Sequence, residues 1–350
     1  MRRLKPAMAN ILLTNRCVRS CPYCFAGRQM AEAEADTHLS WENAVYLADF
    51  LEKTGERRLS LLGGEPSLHP EFVAITAYFA ARGFNVTVFT SGIMSSAKLG
   101  ELAASVALLP RERVQFVCNI NNPEQTPESA GETERLHAFL KAMGPWTQAG
   151  FNIYRTDYDI GFLFDLVERY WMRRRLRLGI AHPIPGAGNL SIAVDDIGKV
   201  IARLEVWRDR FESARLKPSF DCGFALCKIG DEQLGWLTRL AGRMEFKCSP
   251  AVDITPDMQV YCCFPLAGLA RKSVFDFDSY RQLVNHYRDL QHRLRAEIPG
   301  IFPECGDCPH HAEGTCSAGG ACQIAGRLVR ENPGRLSDIE RTFSEPRLPA

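Results

Sequence analysis

Along residues 9–181, short apolar runs alternate with stretches in which apolar positions recur at helical spacing, so strands and helices take turns. The runs Asn10–Leu13, Arg58–Leu62, Asn85–Thr90, Val114–Ile120, Phe151–Tyr154 and Leu176–Ala181 predict six strands. Between the first two, Ser40 can cap a helix whose Ala44, Leu47, Ala48 and Leu51 share one face. Further helices are predicted over Glu71–Arg82, ended by Gly83, and over Thr133–Met143. Regular alternation of this kind builds a parallel sheet with crossover helices. Six units fall short of a closed eight-stranded barrel. The predicted class is therefore α/β, a partial (β/α)6 TIM barrel.

The pattern changes after the Pro- and Gly-rich stretch His182–Gly188. A long helical segment is predicted over Val194–Leu216, after which periodicity fades and nine of the thirteen cysteines fall between Cys222 and Cys322. Loops such as Pro303–Pro309 and Cys316–Cys322 suit a small module held by metal instead of a large apolar core. The predicted organisation is a barrel over residues 1–216, a cysteine-rich module over 217–331 and a loose tail over 332–350.

Composition narrows the function classes. With 46% apolar and 24% charged residues the chain is globular. Forty-two Lys and Arg against 41 Asp and Glu provide no field for nucleic acid or an anionic membrane. The basic run Arg173–Arg175 with Arg177 reads as a solvated helix end. No window reaches the roughly 18 apolar residues of a membrane span. The N-terminal stretch through Thr14 lacks the length and cleavage site of a signal peptide, which predicts a cytoplasmic protein. In that reducing compartment the thiols are expected to ligate metal or do chemistry, not to form structural disulfides.

Directly after the first predicted strand stands Cys17-Val-Arg-Ser-Cys21-Pro-Tyr-Cys24. Three thiolates so spaced can hold three irons of a cubane 4Fe-4S cluster and leave the fourth iron open. A zinc knuckle would instead bring four closed ligands. This C-x3-C-x2-C loop, with the aromatics Tyr23 and Phe25 beside it, resembles the signature of the radical S-adenosylmethionine (SAM) enzymes. The resemblance implies that Cys17, Cys21 and Cys24 ligate the catalytic cluster and that its open iron chelates the amino nitrogen and carboxylate of SAM. One electron then yields methionine and a 5′-deoxyadenosyl radical that takes hydrogen from a substrate. Chelation replaces a bimolecular encounter with a strong reductant. The resemblance also implies an electron donor such as flavodoxin or ferredoxin.

Further matches follow along the barrel. Gly63-Gly64-Glu65-Pro66, ending the second strand, looks like the family's GGEP segment, whose backbone and Glu receive the cofactor's amino group. Two glycines let a main chain approach a ligand, and a carboxylate suits an ammonium. Thr90-Ser91-Gly92 resembles the ribose-side segment, with Ser91 where the family often has Asn. By position, Asn119 and Arg155 are candidates for ribose and carboxylate contacts. The resemblance covers about residues 9–182.

The C-terminal part resembles the SPASM or shorter twitch extension of a branch of this family, which implies one or two auxiliary 4Fe-4S clusters. Cys248-Ser-Pro followed by Asp253 to Cys263 looks like its β-hairpin, turning at Pro256-Asp257, and register favours Cys263 over Cys262 as a ligand. Cys305-x2-Cys308-x7-Cys316-x5-Cys322 resembles the family's C-x2-C-x5-C-x3-C with two gaps lengthened, and no cysteine follows Cys322. Two arrangements remain. In one, Cys248, Cys263, Cys322 and either Cys222 or Cys227 hold one cluster, while Cys305, Cys308 and Cys316 hold a second, completed by the other upstream cysteine, a histidine or substrate. In the other there is one auxiliary cluster, and the remaining thiols bind zinc or stay free. Cys118 and Cys262 read as buried or spare thiols.

Substrate groups are expected at the C-terminal strand ends, where Asn121, Asn152, Asp157 and His182 stand. His182 equally reads as a hydrogen-bonded structural histidine. The first strand begins within ten residues of Met1, so the N-terminal peptide clasp of many SPASM enzymes is not expected here, which lowers the peptide reading without excluding it, since a separate protein can supply the clasp. Both a ribosomal peptide side chain and a small metabolite remain open as substrate. Two other classes compete. A non-catalytic iron–sulfur electron carrier needs no Gly-Gly-Glu-Pro segment. A zinc-binding, nucleic-acid-associated protein predicts a basic face that the net charge does not supply.

Overall fold

The computed structural model describes residues 8–27, 30, 37–126, 131–184, 188–222, 224–241, 246–249 and 251–344. β1 (Ala9–Leu12), β2 (Arg58–Leu62), β3 (Asn85–Thr90), β4 (Val114–Asn119), β5 (Thr147–Ile153) and β6 (Arg175–Ile180) lie side by side in chain order, each pair parallel. All six predicted strands form; β5 differs most, starting at Thr147 instead of Phe151. The crossover helices are α1 (Trp41–Glu52), α2 (Phe72–Ala81), α3 (Ser96–Ala107), α4 (Glu132–Met143) and α5 (Gly161–Arg169). In α1 the Ser40 hydroxyl accepts from the Asn43 amide at 3.1 Å, and the predicted face Ala44, Leu47, Ala48 and Leu51 is buried. Helices α3 and α5 were not predicted. α3 sends only Leu102 and Val106 into the core, a stripe too thin to stand out.

Three further features depart from the sequence reading. First, Lys217–Phe220 forms β7, a seventh parallel strand on β6, so the residue expected to open the cysteine-rich module continues the barrel sheet. Pro218 sits there without penalty because β7 is an edge strand. The helix predicted over Val194–Leu216 is broken into α6 (Ile197–Glu205) and α7 (Arg208–Ser213), with Trp207 buried at the break.

Second, the C-terminal part has regular structure. β8 (Val252–Ile254) pairs in parallel with β1, and β9 (Gln259–Cys262) and β10 (Lys272–Ser273) follow antiparallel, so the predicted hairpin extends the same ten-stranded sheet. After α8 (Asp231–Ala241) and this hairpin comes α9 (Tyr280–Glu297), which buries Tyr280, Leu283, Val284, Tyr287, Leu290 and Leu294 at helical spacing. Its exposed face is so rich in charge that the stripe is diluted in composition. Tyr287 Oη donates to the Val260 carbonyl at 2.6 Å, tying α9 to β9. Short α10 (Pro309–Ala312) and α11 (Ala321–Glu331) complete this part.

Third, the loose tail is a helix, α12 (Pro333–Ser344), at least through its last described residue. Pro333, which suggested an irregular end, occupies the first helical position, where its missing N–H is no loss. Ile339 is buried, and Arg335 pairs with Glu297 of α9 at 2.8 and 3.0 Å. One core cluster includes residues from Ala9 to Ile339. Among the described residues no helix is long and apolar enough to cross a membrane. Ile339→Asp is expected to lower stability by about 2–4 kcal/mol, read as a shifted denaturant midpoint; a loose tail would give no shift.

Candidate active site

The cysteine loop leaves β1 and is pressed against the end of β2. Gly64 N donates to the Thr14 carbonyl at 2.9 Å and Glu65 N to the Arg16 carbonyl at 2.7 Å. A Cβ at Gly63 would stand 2.4 Å from the Thr14 oxygen, and one at Gly64 2.1 Å from the Arg16 oxygen, so neither position admits a side chain. The glycines expected to admit a ligand thus admit the cysteine loop itself. Pro66 follows, buried at the start of a single 3-10 turn.

Glu65, 1% exposed, accepts four hydrogen bonds: Ser67 N at 3.2 Å, Thr90 Oγ1 at 2.7 Å, and Ser91 N and Oγ at 2.7 and 2.6 Å. The carboxylate expected to meet an ammonium is therefore occupied by internal donors, and it binds the end of β2 to the end of β3. Thr90 and Ser91 are buried as parts of the same knot.

Arg19 anchors the middle of the cysteine loop. Its guanidinium pairs with Glu132 at the start of α4 and donates to the Asn119 carbonyl at 2.9 Å. Tyr23 stacks on Tyr154 at 4.9 Å between centroids, and its hydroxyl donates to Asn121 Oδ1. Asn121 Nδ2 in turn faces Cys21 Sγ at 3.8 Å. Phe25 is half-buried beside them. Leu190 N donates to the Pro22 carbonyl at 2.9 Å and brings the segment after β6 onto the loop.

The thiols are mutual neighbours. Although Cys17 is an exposed residue, the atoms packed round its thiol push it up to about 11, with Glu65, Cys24 and Cys21 adding to the rise against the Arg19 amide. Burial raises Cys24 as well, and Cys21 adds. Three thiolates gathered in this way repel one another unless cations hold them. Among the described residues no three His, Cys, Asp or Glu groups converge on a single ion. A cubane makes no such demand, since each thiolate takes a different iron.

Below the loop the lumen is polar. Arg177 lies among neutral amides, donating to Asn119 Oδ1 at 3.0 Å and Asn152 Oδ1 at 3.4 Å; it pairs with Asp221 and stands over the Phe89 ring at 5.2 Å. Burial pulls it down to about 10. A Cβ at Gly150 or Gly179 would meet these amide oxygens at 2.7 and 2.4 Å, so both glycines make room for the network. The basic run is thus no helix end: it leads into β6, whose alternation turns Arg177 inward. Arg155 and Asp157, expected at the site, pair with each other at 2.5 and 2.6 Å and are 40% and 66% exposed. Arg177, Arg19 and Tyr154 are what sequence reasoning missed; the signal for Arg177 was its register within the predicted strand.

His182, just beyond β6, is 2% exposed. Gln323 Oε1 accepts from Gly320 N at 2.8 Å, which turns its amide NH2 toward His182 Nδ1 at 3.4 Å. The neutral ring then carries its proton on Nε2. That Nε2 is buried and has no partner among the described residues, and burial pulls the ring down to about 4.

The downstream cysteines fall into two neighbourhoods. Burial and then Cys248 raise Cys222 to about 11; burial, then Cys248 and Cys222, raise Cys322. Cys263 is raised by burial, then by Asp253, Cys322 and Cys222. Cys227 instead feels burial, Cys305 and Cys316, against Lys228. Cys308 opens α10, and His311 Nδ1 lies 3.0 Å from the Cys305 carbonyl. Cys262 is the last residue of β9 and accepts from Gln291 Nε2 at 3.1 Å, whereas Cys263 lies beyond the strand at φ 67°; Cys118 is buried in the core.

Fold and site together define an iron–sulfur enzyme of the SAM-cleaving kind, and comparison with known proteins agrees. The model of the radical SAM superfamily matches residues 11–145. The SAM-dependent nucleotide dehydratase of Selenomonas ruminantium is 32% identical over 57% of this chain and 77% of its own length. The PqqA peptide cyclase of Rhizobium meliloti (strain 1021) is 32% identical over 29% of the chain and 27% of its own length. That of Streptomyces rochei is 24% identical over 94% and 88%. Among solved structures, Streptococcus suis SuiB bound to SAM superposes with a TM-score of 0.62 over 93% of this chain and 75% of its own, at 14% identity. AdoMet-bound anSMEcpe does so at 0.60 over 96% of both, also at 14% identity, and both bear on the fold alone. The chain belongs to the radical SAM superfamily.

Two outcomes are expected at this site. Glu65→Gln sets an amide NH2 against donors that need an acceptor, so thermal unfolding should show a loss of about 1–3 kcal/mol; a solvated turn residue would show none. His182 is held at about 4 instead of its ordinary 6.5, so the unfolded chain binds the extra proton between those values and stability falls as pH drops through that window. The loss is on the order of 3 kcal/mol. His182→Gln should flatten stability-against-pH curves between these limits, and an unchanged slope would contradict the assignment.

Proposed function

We propose that this chain is a radical SAM maturase carrying one open cluster on Cys17, Cys21 and Cys24 and two closed auxiliary clusters, and that it modifies a side chain of a peptide. The observation that carries the reading is the gathering of three neighbouring thiols, of which Cys17 and Cys24 are raised by burial and then by their neighbours, on a loop fixed by Gly63, Gly64 and Glu65. A 4Fe-4S cluster held by Cys17, Cys21 and Cys24 would supply the electron for reductive cleavage of SAM to methionine and a 5′-deoxyadenosyl radical. The residues of the chain do the positioning. Asn121 and Tyr23 orient the Cys21 side of the loop, and Arg177 with Asn119 and Asn152 offers a fixed polar floor.

For the auxiliary clusters, the thiol neighbourhoods favour Cys222 with Cys248, Cys263 and Cys322, and Cys227 with Cys305 and Cys316, to which the Cys305-x2-Cys308 spacing adds Cys308. Both sets are closed, which suits electron carriers that leave no iron for substrate. The segment that follows β7, 221–331, is then a SPASM-like module grown onto the barrel sheet. Clusters of this kind, with a flavodoxin or ferredoxin as donor, fit a reducing cytoplasm. A peptide substrate is favoured by the peptide cyclases among the relatives and by the His182 Nε2–H, a donor suited to a carbonyl that has no partner among the described residues.

Anaerobically purified protein should contain about twelve irons, four per cubane, and release 5′-deoxyadenosine when reduced with SAM. Replacing any one of Cys17, Cys21 and Cys24 by Ala should abolish that release. Replacing all three should leave about eight irons and a brown colour. A folded but colourless triple variant would contradict the auxiliary clusters, and normal 5′-deoxyadenosine release by a single variant would contradict the catalytic one.

A further inference from the structure

Among the described residues, nothing fills the end of the barrel opposite the cysteine loop. The N-terminal ends of β1 to β6 surround a cavity of about 690 Å³ whose lining includes Arg58, Arg111, Arg173, Arg174, Gln115 and Trp171. In a closed barrel this end is filled with packed side chains and serves stability. Here the volume lies within the roughly 300–1,000 Å³ of small-molecule sites.

Its charge is one-sided. Four arginines meet a single carboxylate in the lining, Glu112. Arg58 is paired with Glu56 at 3.3 Å, but Arg111, Arg173 and Arg174 have no ion pair among the described residues. Arg111 stands 5.8 Å from the centre of the Trp146 ring. Arg173 donates to Gln115 Oε1 at 3.2 Å, and Gln115 Nε2 donates to Thr87 Oγ1 at 2.8 Å, so amide and guanidinium are held by a hydrogen-bonded floor. Three arginines without counter-charge round one cavity create a positive potential that an anion relieves.

Trp171 adds an independent signal. It is 82% exposed and sits at φ 53°, a left-handed conformation that a bulky residue adopts only under strain. An indole held open at the rim of a cationic cavity suits a flat or apolar group whose anion reaches the arginines.

We propose that this mouth binds a phosphorylated small molecule, separately from the end where SAM is cleaved. Arg111, Arg173 and Arg174 take the phosphate oxygens, Gln115 and Thr87 offer neutral hydrogen bonds, and Trp171 covers the organic part. Six-residue strands put about 20 Å between the mouth and the cysteine loop. The ligand therefore acts as an effector or stabiliser, not as substrate.

The test is calorimetric titration of the full-length, cluster-loaded enzyme with inorganic pyrophosphate and with ADP. One saturable site is expected for each, weakened by salt and by roughly tenfold or more in the double variant Arg111→Ala/Arg174→Ala. Both positions are exposed, and unchanged iron content and circular dichroism report that the variant is folded. Tighter binding of ADP, with the difference lost in Trp171→Ala, identifies a nucleotide; equal affinities identify a free phosphate compound, and either supports the site. Absence of saturable heat with both probes, unchanged affinity in the double variant, or displacement of the probe by SAM would overturn it.

Discussion

A Cβ atom at Gly64 would lie 2.1 Å from the carbonyl oxygen of Arg16, so the end of β2 and the start of the cysteine loop can meet only through glycine. The rest of the site depends on that contact. It lets Glu65 N reach Arg16, which in turn delivers the Glu65 carboxylate to Ser67, Thr90 and Ser91. With β1, β2 and β3 joined at their C-terminal ends, Arg19 and Tyr23 carry the loop across to β4 and α4. Three thiols that gain nothing from each other's company are thereby held together by hydrogen bonds made elsewhere.

The same sheet connects the barrel to the cysteine-rich part. β7 leads into Asp221, the partner of Arg177, and then into Cys222, while β8 and β9, paired onto β1, deliver Cys263. α11 supplies both Cys322 and Gln323, whose amide fixes the His182 ring at the end of β6. The lumen and the first downstream thiol group thus share a continuous frame of strands. A hinge between them would have to break sheet hydrogen bonds.

Much of this was legible in the sequence. Buried parallel strands read as apolar runs, so all six were found, and the spacing of Cys17, Cys21 and Cys24 is a local property that needs no fold to interpret. Other features were hidden because they depend on distant partners. Glu65 looked free since three of its four donors come from Thr90 and Ser91 at the end of β3, and Arg177 looked solvated because its run of arginines masks the strand alternation that turns it inward. Arg155 looked placed for a ligand, yet its nearest anion is two residues away. Cys222 and Cys227 could not be told apart by counting, since what distinguishes them is their neighbours far along the chain, Cys248 for the one and Cys305 with Cys316 for the other. Pro333 signalled an end and instead opened a helix.

The central claim is an iron left open to SAM by the three-cysteine loop, and electron paramagnetic resonance of the dithionite-reduced enzyme with and without SAM tests it most directly. Adding SAM should change the g-values of one reduced cluster while leaving the remaining signal untouched, and the change should vanish in Cys21→Ala. A spectrum that SAM leaves unaltered in the wild-type enzyme would contradict the account.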